Sequence, residues 1–185
     1  LIQTRSDSHR GGYEVKYVEH TYLGKPKRIY TTHTDVRGPV SELLVYTYDH
    51  AERVTRLTHQ LNDGTVRVLY DNIYDQLGRV EYRNILGQAT LSTHYTYNIQ
   101  SAMKSITTGN LFKEELFYQD GSSTPSYNGN ISSMIWQTGD GSTPLGNVKQ
   151  RGYVFQYDKN SRLISDYYTE NGSSNRLYDT SYAYD

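Results

Sequence analysis

Apolar and polar residues alternate with a period of two along most of this chain. Tyr13, Val15 and Tyr17 interleave with Glu14 and Lys16, the pattern of a strand with one covered and one wet face. A second strand is predicted at residues 28–34, and Arg37-Gly38-Pro39 breaks the pattern before residues 43–48. Residues 53–61 run to Asn62-Asp63-Gly64, a tight-turn sequence whose glycine can take positive φ. Residues 65–74 return, Gln76-Leu77-Gly78 turns the chain, 79–85 go out, Leu86-Gly87 turns it again, and 89–97 come back. Turns at both ends of each strand predict an all-β fold: an up-and-down antiparallel meander of β-hairpins forming a curved strip. Residues 110–117 carry an Asn cap and Phe112/Leu116 at helical spacing. Strand flanks argue for a strand there, since a lone two-turn helix is marginal. Residues 119–130 and 137–147 hold Asp-Gly-Ser and Thr-Pro and are expected as loops. A last hairpin is expected from 162–169, through Glu170-Asn171-Gly172, to 175–184. Residues 1–12 are polar and aperiodic and are expected as a loose lead-in to a strip over 13–185.

One unit recurs. Tyr74-Asp75-Gln76-Leu77-Gly78-Arg79-Val80 has counterparts in Tyr48-Asp49-His50-Ala51-Glu52-Arg53-Val54 and Tyr157-Asp158-Lys159-Asn160-Ser161-Arg162-Leu163. All three keep the tyrosine, the aspartate, the cation four residues after it and an apolar residue next. Tyr184-Asp185 opens another copy, and weaker ones begin at Tyr22, Tyr97-Asn98 and Tyr127-Asn128. Anchors at 22, 48, 74, 97, 127, 157 and 184 are spaced by 26, 26, 23, 30, 30 and 27 residues. A period in the range of about 20 to 50 residues marks an array whose units bury themselves only against their neighbours.

A Tyr-Asp…Gly-Arg unit of this length resembles the YD repeat of bacterial Rhs proteins, toxin-complex shell proteins and animal teneurins. The match is best over Tyr74 to Val80 and extends over nearly the whole chain from about Tyr22, with Tyr127-Asn128-Gly129-Asn130-Ile131-Ser132 resembling a degenerate unit. The Tyr97 unit departs from it, with Asn98 for the aspartate and no Gly-Arg, as does the Tyr22 unit, with Leu23. The resemblance implies a structural segment of a secreted or cell-envelope protein, located outside the cell or in its envelope. Such segments wind into a shell that encloses or presents a C-terminal toxin or effector. The implied partners are the rest of the parent shell and its cargo. The chain starts and stops in mid-pattern, as a fragment of a longer repeat protein would. An array cut between repeats leaves open sheet edges, through which self-association is expected.

Composition sharpens this picture in one respect. Hydrophobic residues make up 35% of the 185, too few for a thick core, yet 20 residues are tyrosine. A tyrosine buries its ring while its hydroxyl stays hydrogen-bonded, which suits a thin sheet. The net charge of −1 gives no electrostatic case for nucleic acid or an anionic membrane. No apolar run approaches the roughly 18 residues of a membrane helix, so no membrane insertion is expected. Cysteine is absent, which removes disulfides and thiolate metal sites.

Candidate chemistry is sparse. Asp49, Asp75 and Asp158 hold the same position before a turn, so capping of local amides explains them better than acid–base work. Catalysis needs unlike groups converging once. Arg53, Arg79 and Arg162 are expected as hairpin partners or as stems packed over tyrosines. The repeat-defining residues are thus Tyr48, Asp49, Arg53, Tyr74, Asp75, Gly78, Arg79, Tyr157, Asp158, Arg162, Tyr184 and Asp185. No histidine pair has zinc spacing, and the Asp-Gly-Ser loops lack the acidic spacing of a calcium loop. No catalytic residue, metal or cofactor is predicted, and the chain is not expected to be an enzyme. The alternative is a binding module in which Trp136, Tyr167 and Tyr168 contact carbohydrate or a cell-surface protein.

Overall fold

The computed structural model describes residues 1–9, 11–121, 125–174 and 178–184. They form two compact units, Leu1–Leu91 and Ser92–Asp185, and among the described residues there is no α-helix.

The first unit is an antiparallel meander of β1 (Ile2–Asp7), β2 (Tyr13–His20), β3 (Pro26–Asp35), β4 (Gly38–Tyr48), β5 (Val54–Leu61), β6 (Arg67–Tyr74) and β7 (Val80–Ile85), each paired with the next. The second holds β8 (Ser92–Tyr97), β9 (Met103–Thr108), β10 (Phe112–Phe117), β11 (Ser133–Thr138), β12 (Arg151–Tyr157) and β13 (Leu163–Glu170), again paired in sequence. The short strands β14 (Ser173–Ser174) and β15 (Thr180–Ser181) both pair with β13. Residues 110–117 therefore contain a strand and no helix.

Apart from β1, the longer strands are mostly half-buried rather than buried. Among the described residues, Leu57, Tyr118, Leu145 and Tyr168 are the buried apolar side chains. On one face of the first unit Leu57 sits between Tyr46 and Tyr70 in register. On the other, Arg56 pairs with Asp71. In the second unit Trp136 and Tyr153 stack at 5.8 Å, with Tyr168 edge-on to Tyr153 at 5.4 Å.

The sequence pattern misleads at five places. Ile2–Asp7, expected within a loose lead-in, is strand β1, exposed throughout and held by backbone pairing to β2. Backbone hydrogen bonds need no apolar periodicity, so alternation could not reveal it. Pro39 does not break a strand but lies inside β4, whose pairing with β5 begins only at Glu42. Its missing N–H falls where β4 has no strand on that side. At 62–64 the positive φ belongs to Asn62 and Asp63 (47° and 54°), and the Gly64 amide closes the turn on the Leu61 carbonyl at 2.9 Å. The strand expected over 89–97 begins at Ser92, after a 3₁₀ turn at Ala89–Leu91. The return strand expected over 175–184 is represented by β15, and Asn175, Arg176 and Leu177 lie outside the described residues. Leu86-Gly87 and Asn171-Gly172 form turns with positive φ at both residues, the twist that matches two right-handed strands.

Candidate functional site

The recurring constellation is built at the hairpin end where β6 meets β7. Asp75 accepts the amides of Leu77 (2.9 Å) and Arg79 (2.8 Å) on Oδ1, while its Oδ2 takes Arg79 Nε at 2.6 Å. The Asp75 amide donates to the Arg79 carbonyl and the Gly78 amide to the Asp75 carbonyl, with Gly78 at φ 82°. One carboxylate thus satisfies two amides of a tight turn and fixes the arginine that leaves it. Asp49 does the same with Ala51 and Arg53, and Asp158 with Asn160 and Arg162. Glu52 and Ser161 stand at Gly78's position with φ of 58° and 64°. That is a strain glycine avoids. Asn98 caps Gln100 and Ala102 in the same way, which explains why an amide can replace the acid while its ion pair is lost.

The arginine then reaches the next repeat. Arg53 lies over the ring of Tyr74 at 4.5 Å and Arg162 over Tyr184 at 4.7 Å. The tyrosine hydroxyls close the joint. Tyr74 donates to the Val54 carbonyl at 2.8 Å, and Val54 is the residue that follows Arg53. Tyr48 donates to Pro26 (2.6 Å), Tyr118 to Met103 (2.8 Å), Tyr157 to Ile131 (2.8 Å) and Tyr184 to Leu163 (2.7 Å). Each of these five tyrosines therefore clasps the first residue after the turn, or the excursion, of the repeat before it. Among the repeat-defining positions, Asp185 lies outside the described residues.

Two anchors expected from the sequence are displaced. Tyr22 is fully exposed. Instead Thr21 takes the aspartate's place, with its amide on the Lys25 carbonyl and its hydroxyl accepting the Lys25 amide. His20 then holds the tyrosine's place at the end of β2. Tyr127 is likewise 74% exposed, and the buried anchor is Tyr118, after which the tight turn is replaced by an excursion from 119 to 130. A signal was present: Tyr48, Tyr74, Tyr97 and Tyr157 each end an alternating strand, and no alternation leads into Tyr127. At the last residue of β2, β4, β6, β8 and β12 the register shifts. This bulge turns the terminal side chain toward the neighbouring repeat.

Electrostatically the joints are closed. Hydrogen bonds from the amide and guanidinium of Arg53 hold the Asp49 carboxyl at about 2. The Arg162 amide and guanidinium lower Asp158. Partial desolvation would raise Asp75, and the bonds from Arg79 and Leu77 outweigh it, leaving it lowered. Burial raises the hydroxyls of Tyr48, Tyr118 and Tyr157. A carboxylate stabilised as an anion and occupied on both oxygens is a poor proton acceptor, so these aspartates are suited to joining hairpins. Asp140 is also held at about 2, by the amides of Thr143 and Ser142, and Asp120 is lowered by Lys104. Among the described residues no cluster of three or more metal-ligating side chains occurs.

Of the residues expected to contact carbohydrate or a partner, Trp136 and Tyr168 lie in one aromatic cluster and Tyr167 on the opposite face. Tyr168 is buried, with its hydroxyl on Glu170 at 2.8 Å, and Trp136 packs on Tyr153 and Tyr168. Tyr167 points to the other face in register, its hydroxyl 3.4 Å from Gln156.

No family model and no curated protein matches the chain. Among solved structures it is similar to a chain in the crystal structure of TcdB2-TccC3-Cdc42, at 15% identity and a TM-score of 0.41. The match covers 95% of this chain and 12% of that one. A chain in the crystal structure of TcdB2-TccC3-TEV is matched at 15% identity and a TM-score of 0.40, over 95% of this chain and 11% of that one. The chain therefore spans about an eighth of the length of these solved chains. Among the described residues no helix is long and apolar enough to cross a membrane.

Proposed function

We propose that this chain is a wall segment of an Rhs-like YD-repeat protein of the cell envelope or exterior, a structural element of a shell that encloses or presents a C-terminal toxin or effector. The observation that carries the reading is the joint itself. Asp49–Arg53–Tyr74 and Asp158–Arg162–Tyr184 are the same three-part contact between successive hairpins. It consumes the chain's distinctive residues in holding one repeat to the next, so what repeats along this chain is architecture. Alternation of half-buried tyrosines makes a sheet one layer thick, which gives large enclosed area per residue. The resemblance of Tyr74 to Val80 to the YD unit supplies the remainder of the reading. Its partners are further repeats of the parent protein and the cargo within.

The test uses the full parent protein. Limited proteolysis is followed with an antibody to its C-terminal polypeptide, in the wild type and in Tyr74→Ala/Tyr157→Ala. Protection of that polypeptide in the wild type, lost in the double variant, is expected. Equal cleavage of the polypeptide with and without the repeat region would overturn the reading.

A further inference from the structure

The left-handed residue of a tight turn meets the repeat before it, and three joints show how. Lys25, four residues after Thr21, stands 5.9 Å from the ring centre of Tyr48 and donates through Nζ to the Glu52 carbonyl. Arg53, four residues after Asp49, lies over Tyr74, and its Nη1 is 3.0 Å from where a Cβ on Gly78 would stand. Asn128 Nδ2 donates to Ser161 Oγ at 2.6 Å, and Asn130 Nδ2 reaches the Ser161 carbonyl at 3.5 Å. Glu52, Gly78 and Ser161 are equivalent positions, each three residues after the aspartate of its turn.

Positive φ alone does not account for the glycine at 78, because Glu52 and Ser161 adopt it with side chains, at 58° and 64°. The group that arrives from the preceding repeat is what differs. An ammonium is compact, and Lys25 reaches the Glu52 carbonyl past a residue that carries a Cβ. A guanidinium is planar and broad, and that of Arg53 is pinned. Its Nε and Nη2 both bond Asp49 Oδ2 at 2.7 Å, while its centre lies 4.5 Å from the Tyr74 ring centre. Ordinary contact with a Cβ begins at 3.4 Å. A side chain at 78 would therefore push the guanidinium away from Asp49 or off the ring.

We propose that the left-handed turn residue is a specificity determinant for the neighbouring repeat. Glycine there admits a repeat whose turn ends in arginine. A residue with a side chain admits one that ends in lysine or that arrives through asparagine amides. The pairing governs which hairpin can follow which, and it works by a clash against the wrong neighbour as well as by attraction to the right one. It holds whatever the array encloses, so it does not depend on the shell reading.

Gly24 supplies the reference for the test. It occupies the same place in the Thr21 turn and has the same φ of 82° as Gly78, but a Cβ there meets nothing within 4 Å. Gly24→Ala thus reports backbone strain alone, and Gly78→Ala reports that strain plus the arginine. In urea unfolding of this chain, Gly78→Ala is expected to lower the midpoint about twice as far as Gly24→Ala. In an Arg53→Lys background the effect of Gly78→Ala should fall to that of Gly24→Ala. If Gly78→Ala alone does not fold, Arg53→Lys should restore folding to it. The proposal is overturned if the two alanine variants have equal midpoints, if Gly78→Ala has the same effect beside arginine and lysine, or if lysine fails to restore an unfolded Gly78→Ala chain.

Discussion

Tyr74→Phe isolates the hydroxyl of one clasp. The ring stays beneath Arg53, 4.5 Å away, while the 2.8 Å bond to the Val54 carbonyl is lost. A neutral intramolecular hydrogen bond contributes about 0.5–1.5 kcal/mol net, and a carbonyl left buried without a donor costs about 1–3 kcal/mol. Val54's carbonyl has a second donor, Asn72 Nδ2 at 3.0 Å, so it is not orphaned. The expected loss is therefore at the low end, about 0.5–1 kcal/mol. Asn72→Ala in the Tyr74→Phe background removes both donors and should cost more than the two single changes together, by about 1 kcal/mol. Urea unfolding monitored by intrinsic fluorescence, with hydrogen exchange at the β5 and β6 amides, reads each value. Tyr22→Phe, where the hydroxyl is fully exposed, is the zero. The reasoning is refuted if Tyr74→Phe and Tyr22→Phe have the same midpoint, or if the Asn72 and Tyr74 changes simply add.

Acid should loosen the array at its joints. Asp49 is held at about 2, below an ordinary aspartate at about 3.9. A lowered folded-state value means stability that is complete above the unfolded value and lost as pH falls through about 4 toward 2. Asp49→Asn should flatten that part of a pH–stability curve, and an unchanged slope would count against the capping role. Gly152→Ala places a Cβ 2.6 Å from the Met134 carbonyl and 3.0 Å from Ile135 and Thr169. It should destabilise by about 1–3 kcal/mol, whereas Gly146→Ala, with nothing within 4 Å, should be near neutral in the same melt. Asn128→Ala frees the excursion from Ser161, and faster protease nicking within 119–130 than in wild type is the expected readout. Open edges are expected to associate: β1 is exposed throughout and has only β2 as a strand partner among the described residues. Lysine at Gln3 and Ser6 should reduce association in sedimentation at high concentration.

The fold class was legible because a half-covered antiparallel strand writes its geometry into the sequence as alternation, and Gly87 and Gly172 mark where it reverses. Strand β1 was illegible for the converse reason. It has no covered face, and backbone pairing carries no side-chain signature. Turn glycines were legible as turns but not as conformations. At 62–64 the left-handed residues are Asn62 and Asp63, since the side chains of these residues tolerate that region. The Tyr-Asp-Arg joints at 48, 74 and 157 were legible as a recurrence, and their use of the aspartate followed from its place before a turn. Nothing in the dipeptide, however, states where the hydroxyl goes. That information is held across repeats, 20 residues away for Tyr74 and 26 for Tyr157.

Tyr118 and Tyr127 show which feature defines a repeat here. Tyr127-Asn128-Gly129 keeps the local sequence of the unit but ends no strand and remains exposed. Tyr118-Gln119 lacks the aspartate and the tight turn, yet it ends the covered stretch after β10, is buried, and clasps Met103. His20-Thr21 likewise keeps the turn without tyrosine or aspartate. The turn and the clasp are thus separable, one fixing how the chain reverses and the other how a hairpin grips its predecessor. Where the clasp is kept and the turn is released, as after Tyr118, the chain between them is free to vary in length without disturbing the sheet. At this joint Tyr157 needs only a carbonyl at the end of the excursion, which Ile131 supplies, so the longer connection leaves the clasp in place.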